Sequence, residues 1–240
     1  MINRVITTAL MCIFFPLISY GQISVALLDL EEGIESWYQE VLGQNNTPIA
    51  NGSYYHIDPQ TPRQHQFLAS PIWDIGTVYM YGQQFDSIRI LYNIYEDLLI
   101  VENSGVFRSN YQPIEPNQRA VDEFFIHGQH FVNINSDSIF YGPGFYEEIY
   151  KGENLSLYAK HLKTKTVNDM EVQYLKENQY FIDVGGHYEK YVNRRTLYKM
   201  FPSHKKEIRS FANRNGVKGK NETSIYNLIV YCEQFVNNYE

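Results

Sequence analysis

Two doublets of adjacent carboxylates are the residues with the clearest chemical use. They are Asp122-Glu123 and Glu147-Glu148. Glycoside hydrolysis needs two carboxyl groups roughly 5 to 10 Å apart across the sugar. Neighbours on a strand point to opposite faces, so a catalytic pair would take one acid from each doublet, and Glu123 and Glu147 are the candidates. An acidic chain also forms such doublets by chance, so a hydrolase of glycan or peptide remains the alternative function.

A second grouping is the sequence His-Gly-Gln-His, which contains His127 and His130. On one strand these side chains would point to opposite faces, and only a turn at Gly128-Gln129 could bring them together. A zinc site would need at least one further ligand, and the chain contains neither an HExxH motif nor a paired CxxC. The sequence therefore predicts neither a metal nor a cofactor.

Aromatic side chains offer a different chemistry, the recognition of sugars or peptides. The candidates are Trp73, Tyr79, Tyr81, Tyr92 and Tyr95. Tyrosine combines a flat apolar face with a polar tip, so several of them on one open surface could bind a ligand. The same residues could equally fill the core and rim of a sheet.

Positive charge is concentrated late in a chain whose formal net charge is −7. Between Arg194 and Lys220, nine basic residues accompany one acid, Glu207. The candidate contacts of this basic belt are Arg194, Arg195, Lys205, Lys206 and Arg209. The belt either docks on the acidic body and forms a solvated helix face, or it binds anionic lipid or glycan. Nucleic acid is not expected, because the belt has few stacking aromatics.

The start of the chain predicts where the protein works. Asn3 and Arg4 precede an apolar run over residues 5–18 and then Ser19-Tyr20-Gly21, a pattern typical of a secretory signal peptide cleaved after Gly21. We therefore expect a secreted or periplasmic protein. No later segment approaches about 18 uninterrupted apolar residues, so no transmembrane segment is expected after the leader. Cys232 would be the only thiol left, which excludes an internal disulfide.

The elements that must position these residues are mostly strands. After the leader (1–21), residues 22–52 predict a short N-terminal helix and a loop, residues 53–192 an antiparallel β domain, and residues 193–240 a C-terminal helical segment packed on it. Short apolar and aromatic runs separated by hairpin turns such as Glu96-Asp97 and Gly185-Gly186 favour a meander. The predicted class is α+β, with the sheet curled into a barrel-like or sandwich form. The Pro-bearing stretch 105–118 is predicted to be a loop.

Several loose motifs support this reading through a resemblance. They are Asn51-Gly52-x-x-Tyr55, His65-x-Phe67-Leu68, the run from Leu91 to Leu99, the run from Gly144 to Gly152, and the helix from Phe201 to Gly216. With the leader, they resemble a group of uncharacterised secreted β-rich proteins of Bacteroidota-type bacteria. The resemblance covers most of the mature chain and implies the compartment and the β-meander. It implies no activity, and Asn93 stands where the group often has Asp.

These observations favour a non-catalytic binding or envelope-support module over an enzyme. The expected partner is a glycan, a peptide or another envelope protein. An open polar cavity in the curled sheet would indicate a ligand, whereas a filled interior would indicate a structural role.

Overall fold

A computed structural model describes residues 47–58, 64–103, 112–168, 171–219 and 221–238. The predicted leader, its cleavage site and the N-terminal helix lie outside the described residues. The described chain forms one antiparallel sheet of eleven strands, followed by three helices, so the α+β class is confirmed.

Burial alternates along strands such as Asp74–Met80, and buried hydrophobic clusters lie on both faces of the sheet. The strands are β1 (Gly52–Tyr54), β2 (Asp74–Met80), β3 (Gln83–Asn93), β4 (Leu98–Asn103), β5 (Gln112–Pro116), β6 (Val121–Ile126), β7 (Gln129–Ile134), β8 (Gly144–Lys151), β9 (Leu155–Asn168), β10 (Glu171–Val184) and β11 (His187–Tyr191). In β2, for example, Val78 and Met80 are fully buried while Ile75 is exposed. Period-two patterning therefore fixes which side chains form the core.

The strand order departs from a simple meander at two pairings, β1 with β5 and β2 with β6. It runs β1-β5-β4-β3-β2-β6-β7-β8-β9-β10-β11, so two meanders join where β2 pairs with β6. The predicted loop over 105–118 is wrong in part, because residues 112–116 form β5, which pairs with β4 and β1. Strand β10 is the partner of β9 in the longest hairpin of the sheet, and it continues into β11 through the Gly185-Gly186 turn.

The sheet curls strongly but does not close into a barrel, and β1 and β11 remain its edges. Tyr92 of β3 packs against Phe131 of β7 and Phe145 of β8, with ring centroids 5.0 and 6.0 Å apart, although three strands lie between β3 and β8. We call the face that carries these rings the inner face and the opposite one the outer face. The inner face is thus filled by aromatic side chains in its central part.

The helices cover the other end of the inner face. They are α1 (Arg194–Met200), α2 (Lys205–Arg214) and α3 (Glu222–Cys232). Asn193 caps α1 and Asn221 caps α3, each accepting a backbone N–H with its side-chain oxygen. Their buried residues form one core with Leu157 and Ile182 of β9 and β10. Cys232 lies in this core, and burial raises the pKa of its thiol to about 12. Among the described residues, no helix has the length and apolarity needed to cross a membrane.

The segment 64–68 links the two ends of the curl. Phe67 forms a bridge with Asn93 of β3, and Lys163 of β9 donates hydrogen bonds from Nζ to the carbonyl oxygens of His65 and Phe67, at 2.6 and 2.7 Å. Tyr174 of β10 also donates its backbone N–H to Oε1 of Gln64, the first residue of this segment. One lysine therefore holds a backbone segment across the gap between β3 and β9.

This contact predicts a pH dependence of stability. Burial, and then the charge of Lys176, lower the pKa of Lys163 from 10.5 to about 8. Between these two values the unfolded chain keeps a proton that the folded chain has released, so the free energy of unfolding should rise with pH. A neutral amine keeps two N–H donors and can still bind both carbonyls.

The test is urea unfolding of the wild type and of Lys163→Met between about pH 7 and 9, where most tyrosines stay protonated. The stability difference between the two proteins should grow in favour of the wild type as the pH rises. Parallel stability curves would show that Lys163 is not desolvated in the folded protein.

Candidate ligand-binding cleft

An open cleft of about 970 Å³ lies at one end of the curled sheet. It is bounded by the turn between β3 and β4, the turn before β6, the end of β7 and the loop before β8, and β9 crosses its floor. This volume is at the upper end of the range for small-molecule sites, which is roughly 300–1,000 Å³. The cleft is therefore large enough for a ligand of several rings.

The floor of the cleft is an ion pair between Asp97 and Lys160. Lys160 Nζ lies 2.5 Å from Asp97 Oδ2 and donates to the carbonyl oxygen of Phe145 at 3.0 Å, and its side chain is 4% exposed. Tyr92 donates its hydroxyl to Asp97 Oδ1 at 2.6 Å. Burial lowers the pKa of Lys160, while the charge of Asp97 opposes that shift. The pair fastens the β3–β4 turn to β8 and β9.

Gly144 lets these groups come together. Its φ of +151° is one that side chains rarely adopt, and a methyl group at this position would overlap the carboxylate of Asp97. Glycine is therefore required by both the backbone conformation and the close approach.

The β3–β4 turn is also fixed by Asn93, which is fully buried. Its Nδ2 donates to Tyr55 Oη at 2.8 Å and to Glu96 Oε2 at 2.6 Å, while its Oδ1 accepts the backbone N–H groups of Tyr95 and Glu96. An ionised aspartate could accept but not donate, so an aspartate at this position could not supply the two bonds that Nδ2 donates.

Two tyrosines stand at the walls of the cleft with part of each ring open to solvent. Tyr95 is 44% exposed and packs edge-on against Tyr174, and Tyr141 is 39% exposed and packs edge-on against Phe140 and Phe181. These contacts orient both rings before any ligand binds. Polar side chains from the turn before β6 and from the end of β7 complete the lining: Arg119, Asp122 and Asn135.

The five aromatic candidates do not share one surface. Tyr95 lines the cleft, Tyr92 lies buried beneath its floor, and Trp73 packs on the cluster of Phe67, Leu91 and Ile100. Tyr79 contacts Phe125 on the outer face, and Tyr81 accepts a hydrogen bond from Asn117. The second tyrosine of the cleft, Tyr141, lies in a loop without strand patterning. In the sequence, the adjacent aromatic residue Phe140 is the local signal that could indicate a binding role for Tyr141.

Glu147, a candidate catalytic acid, lies on the inner face in a buried hydrogen-bonded pair with a histidine. Its Oε2 is 2.6 Å from Nε2 of His161, which is 2% exposed. Burial raises the pKa of Glu147, but hydrogen bonds from His161 and Gln129 and the charges of His161 and Lys176 lower it overall. A carboxylate held ionised in this way is poorly suited to act as a general acid.

Glu123, the other candidate acid, lies on the outer face. The register pairs Glu123 with Val132 and Val132 with Tyr146, whereas Phe131 pairs with Glu147. Because alternate residues point to opposite faces, Glu123 and Glu147 are separated by the sheet. Neither residue lines the cleft.

The two histidines of the His-Gly-Gln-His sequence each have their own carboxylate partner. His127 Nδ1 lies 2.8 Å from Asp74, and His130 lies between Glu123 and Glu148, with nitrogen–oxygen distances of 2.7 and 3.4 Å. Within the described residues, no group of three or more His, Cys, Asp or Glu side chains is arranged to hold a metal ion.

The basic belt lies on α1 and α2, away from the residues that line the cleft. Arg194 is half-buried, whereas Arg195, Lys205, Lys206 and Arg209 are exposed. Their helices pack on the core through other residues, chiefly Leu197 and Ile208.

Comparison of the chain with protein-family models, with curated proteins and with solved structures finds no match.

Proposed function

We propose that the protein is a non-catalytic binding module that takes up an oligosaccharide in the cleft. The observation that carries the proposal is the pair of half-exposed tyrosines, Tyr95 and Tyr141, on the walls of one polar cleft. Sugar rings present apolar C–H faces and a rim of hydroxyl groups, so they match an aromatic face bordered by hydrogen-bonding side chains.

The charges of the cleft support a neutral ligand. Lys160 and Asp97 neutralise each other on the floor, and Glu96 accepts hydrogen bonds from Tyr55 and Asn93. Arg119 and Asp122 are both exposed and have opposite charges. The charged side chains of the lining are three acids, Glu96, Asp97 and Asp122, and two cations, Arg119 and Lys160, which gives a net charge of −1. The lining therefore offers donors and acceptors with a small net charge, which favours hydroxyl groups over charged groups.

The expected result is measurable binding to a neutral oligosaccharide on an array of chitin, cellulose and mannan fragments. Tyr95→Ala and Tyr141→Ala should each weaken the affinity for the strongest-binding fragment about tenfold, which corresponds to roughly 1.4 kcal/mol. Isothermal titration calorimetry measures both effects.

Tyr226→Ala is the matched control, because Tyr226 has the same exposed fraction as Tyr141, 39%, but lies on α3. It should bind like the wild type. An array on which no neutral fragment binds, or cleft variants that bind like the control, would reject the proposal.

The alternative is an extracellular hydrolase of glycan or peptide. It has less support, because Glu123 and Glu147 lie on opposite faces of the sheet and each is paired with a histidine. Incubation with the bound oligosaccharide followed by chromatography distinguishes the two functions. Shortened products that disappear in Glu147→Gln would favour the hydrolase.

We infer a secreted or periplasmic location from the leader over residues 1–21. N-terminal sequencing of the exported protein should begin at Gln22. A mature chain that starts at Met1 would contradict this location.

A further inference from the structure

The helices α1 and α2 and the segment after them present a surface that is positively charged and open to solvent. We call it the cationic face, and it consists of seven exposed residues: Arg195, Lys199, Lys205, Lys206, Arg209, Arg214 and Lys218. Thr196, Leu197, Ile208 and Ala212 are the side chains that these helices bury. The hydrophobic core thus fixes which sides of the helices face outward.

The acidic body of the protein does not neutralise the cationic face. Among the described residues, no member of the face lies within 4.0 Å of a carboxylate oxygen. Glu207, the one acid within the belt, lies 3.9 Å from His204 instead. Lys205, Lys206 and Arg209 lie within about one helical turn, and like charges this close repel each other. An anionic partner would therefore relieve an unfavourable interaction of the free protein.

Two features indicate the kind of anion. The cations are on exposed helix surfaces, where Lys205, Lys206 and Arg209 lie within about one turn, so several of them can reach one flat surface together. Clusters of roughly four to eight Lys and Arg side chains on a helix are the pattern of proteins that bind anionic lipid headgroups. Val192, directly before the Asn193 cap of α1, is an apolar side chain that is 70% exposed.

We propose that the cationic face binds the surface of an anionic phospholipid membrane. The ammonium and guanidinium groups contact lipid phosphates, and Val192 reaches the boundary between headgroups and acyl chains. This surface is separate from the cleft, so the inference does not depend on the binding of an oligosaccharide.

The test is co-sedimentation of the full chain with vesicles of phosphatidylglycerol and phosphatidylcholine in equal parts. The wild type should sediment with these vesicles, should not sediment with pure phosphatidylcholine, and should lose binding steeply as salt is raised. Lys206→Gln with Arg209→Gln should weaken binding at least about tenfold, because each Lys or Arg near an anionic membrane surface adds to the affinity.

Two controls distinguish binding by the cationic face from a general effect of the protein's net charge. Lys206→Arg with Arg209→Lys keeps the charge and should bind like the wild type. Lys151→Gln with Lys165→Gln removes the same charge from β8 and β9 and should also leave binding unchanged. Circular dichroism confirms that every variant is folded.

Three outcomes would overturn the proposal. They are absence of binding to the anionic vesicles, equal loss in the Lys151 and Lys165 control, and binding to soluble dextran sulfate that is as tight as binding to the vesicles. The last outcome would assign the face to a soluble polyanion instead of a membrane.

Discussion

Replacing His161 with leucine should lower the free energy of unfolding by about 3 kcal/mol at pH 7. His161 and Glu147 are both buried on the inner face, and their nitrogen and oxygen atoms are 2.6 Å apart. Removing the histidine leaves a carboxylate in a site with little access to water, where the Gln129 hydrogen bond and the charge of Lys176 compensate its burial only in part. Removing one partner of a buried polar pair is among the costliest single changes in a protein core. Urea unfolding followed by tryptophan fluorescence measures the effect.

An exposed histidine–carboxylate pair supplies the control. His56 lies 3.6 Å from Asp58, and both side chains are well exposed, so His56→Leu should change stability by less than about 0.5 kcal/mol. The double variant His161→Leu with Glu147→Leu should recover much of the lost stability, because no charge then remains buried. If the double variant is as unstable as the single one, packing and not charge explains the loss.

The cost of the His161 substitution should also depend on pH. In the wild type the pKa of Glu147 is lowered, so the stability it contributes is complete above the ordinary value of 4.5 and is lost as the pH falls through the folded-state pKa. In His161→Leu, burial raises the pKa of Glu147 with less opposition, because the contacts with His161 are gone. Glu147 of this variant therefore becomes neutral at a higher pH than in the wild type, and the variant loses less stability than the wild type as the pH falls. The difference between the two proteins should shrink as the pH falls from 7 towards 4.

The pair of Glu147 and His161 also shows how far the sequence predicts function. The sequence indicates Glu147 as a candidate catalytic acid because it belongs to a carboxylate doublet. The histidine that pairs with it lies 14 positions along the chain, on the next strand, and the sequence has no local signal for that contact. Whether an acid is buried and paired depends on strand register, which long-range pairing decides.

The hairpins were predictable because their signals are local. Gly82, Gly128, Gly185 and Gly186 all have positive φ at connections between adjacent strands, where glycine is favoured. Strand β5 was missed because Pro113 and Pro116 argue against a strand, although β5 pairs on both sides. Tertiary pairing here overrides the local signal of proline.

The cleft itself could not be predicted, because it is assembled from distant parts of the chain. Asp97 and Lys160 are 63 positions apart, and neither belongs to a recognisable motif. Tyr95 was identified as a candidate from its strand, whereas Tyr141 comes from a loop whose position depends on the curl of the sheet. Short-range patterning predicts the elements of this protein, but the site depends on how the sheet curls.

A substitution at Lys160 tests whether the contacts across the curl of the sheet form the site. Replacing Lys160 with methionine should lower the free energy of unfolding by about 2 kcal/mol. Methionine keeps most of the apolar stem but leaves Asp97 without its cation. The loss should be smaller than for His161, because Asp97 is 26% exposed and retains hydrogen bonds from Tyr92 and from the backbone N–H of Phe145. Urea unfolding measures the loss, with Lys165→Met as a control for an exposed lysine that lies over the Tyr174 ring.

The Lys160 substitution should also weaken oligosaccharide binding, because the ion pair holds the turn that carries Tyr95 against β8 and β9. Lys160→Met with Asp97→Asn should recover part of the stability, since no unpaired charge remains, but it should recover less of the binding, since the turn is no longer fastened. Stability and binding therefore separate in the double variant. Full recovery of both would show that the ion pair does not position the cleft, and that Asn93 and the contact with Tyr174 are enough to hold Tyr95.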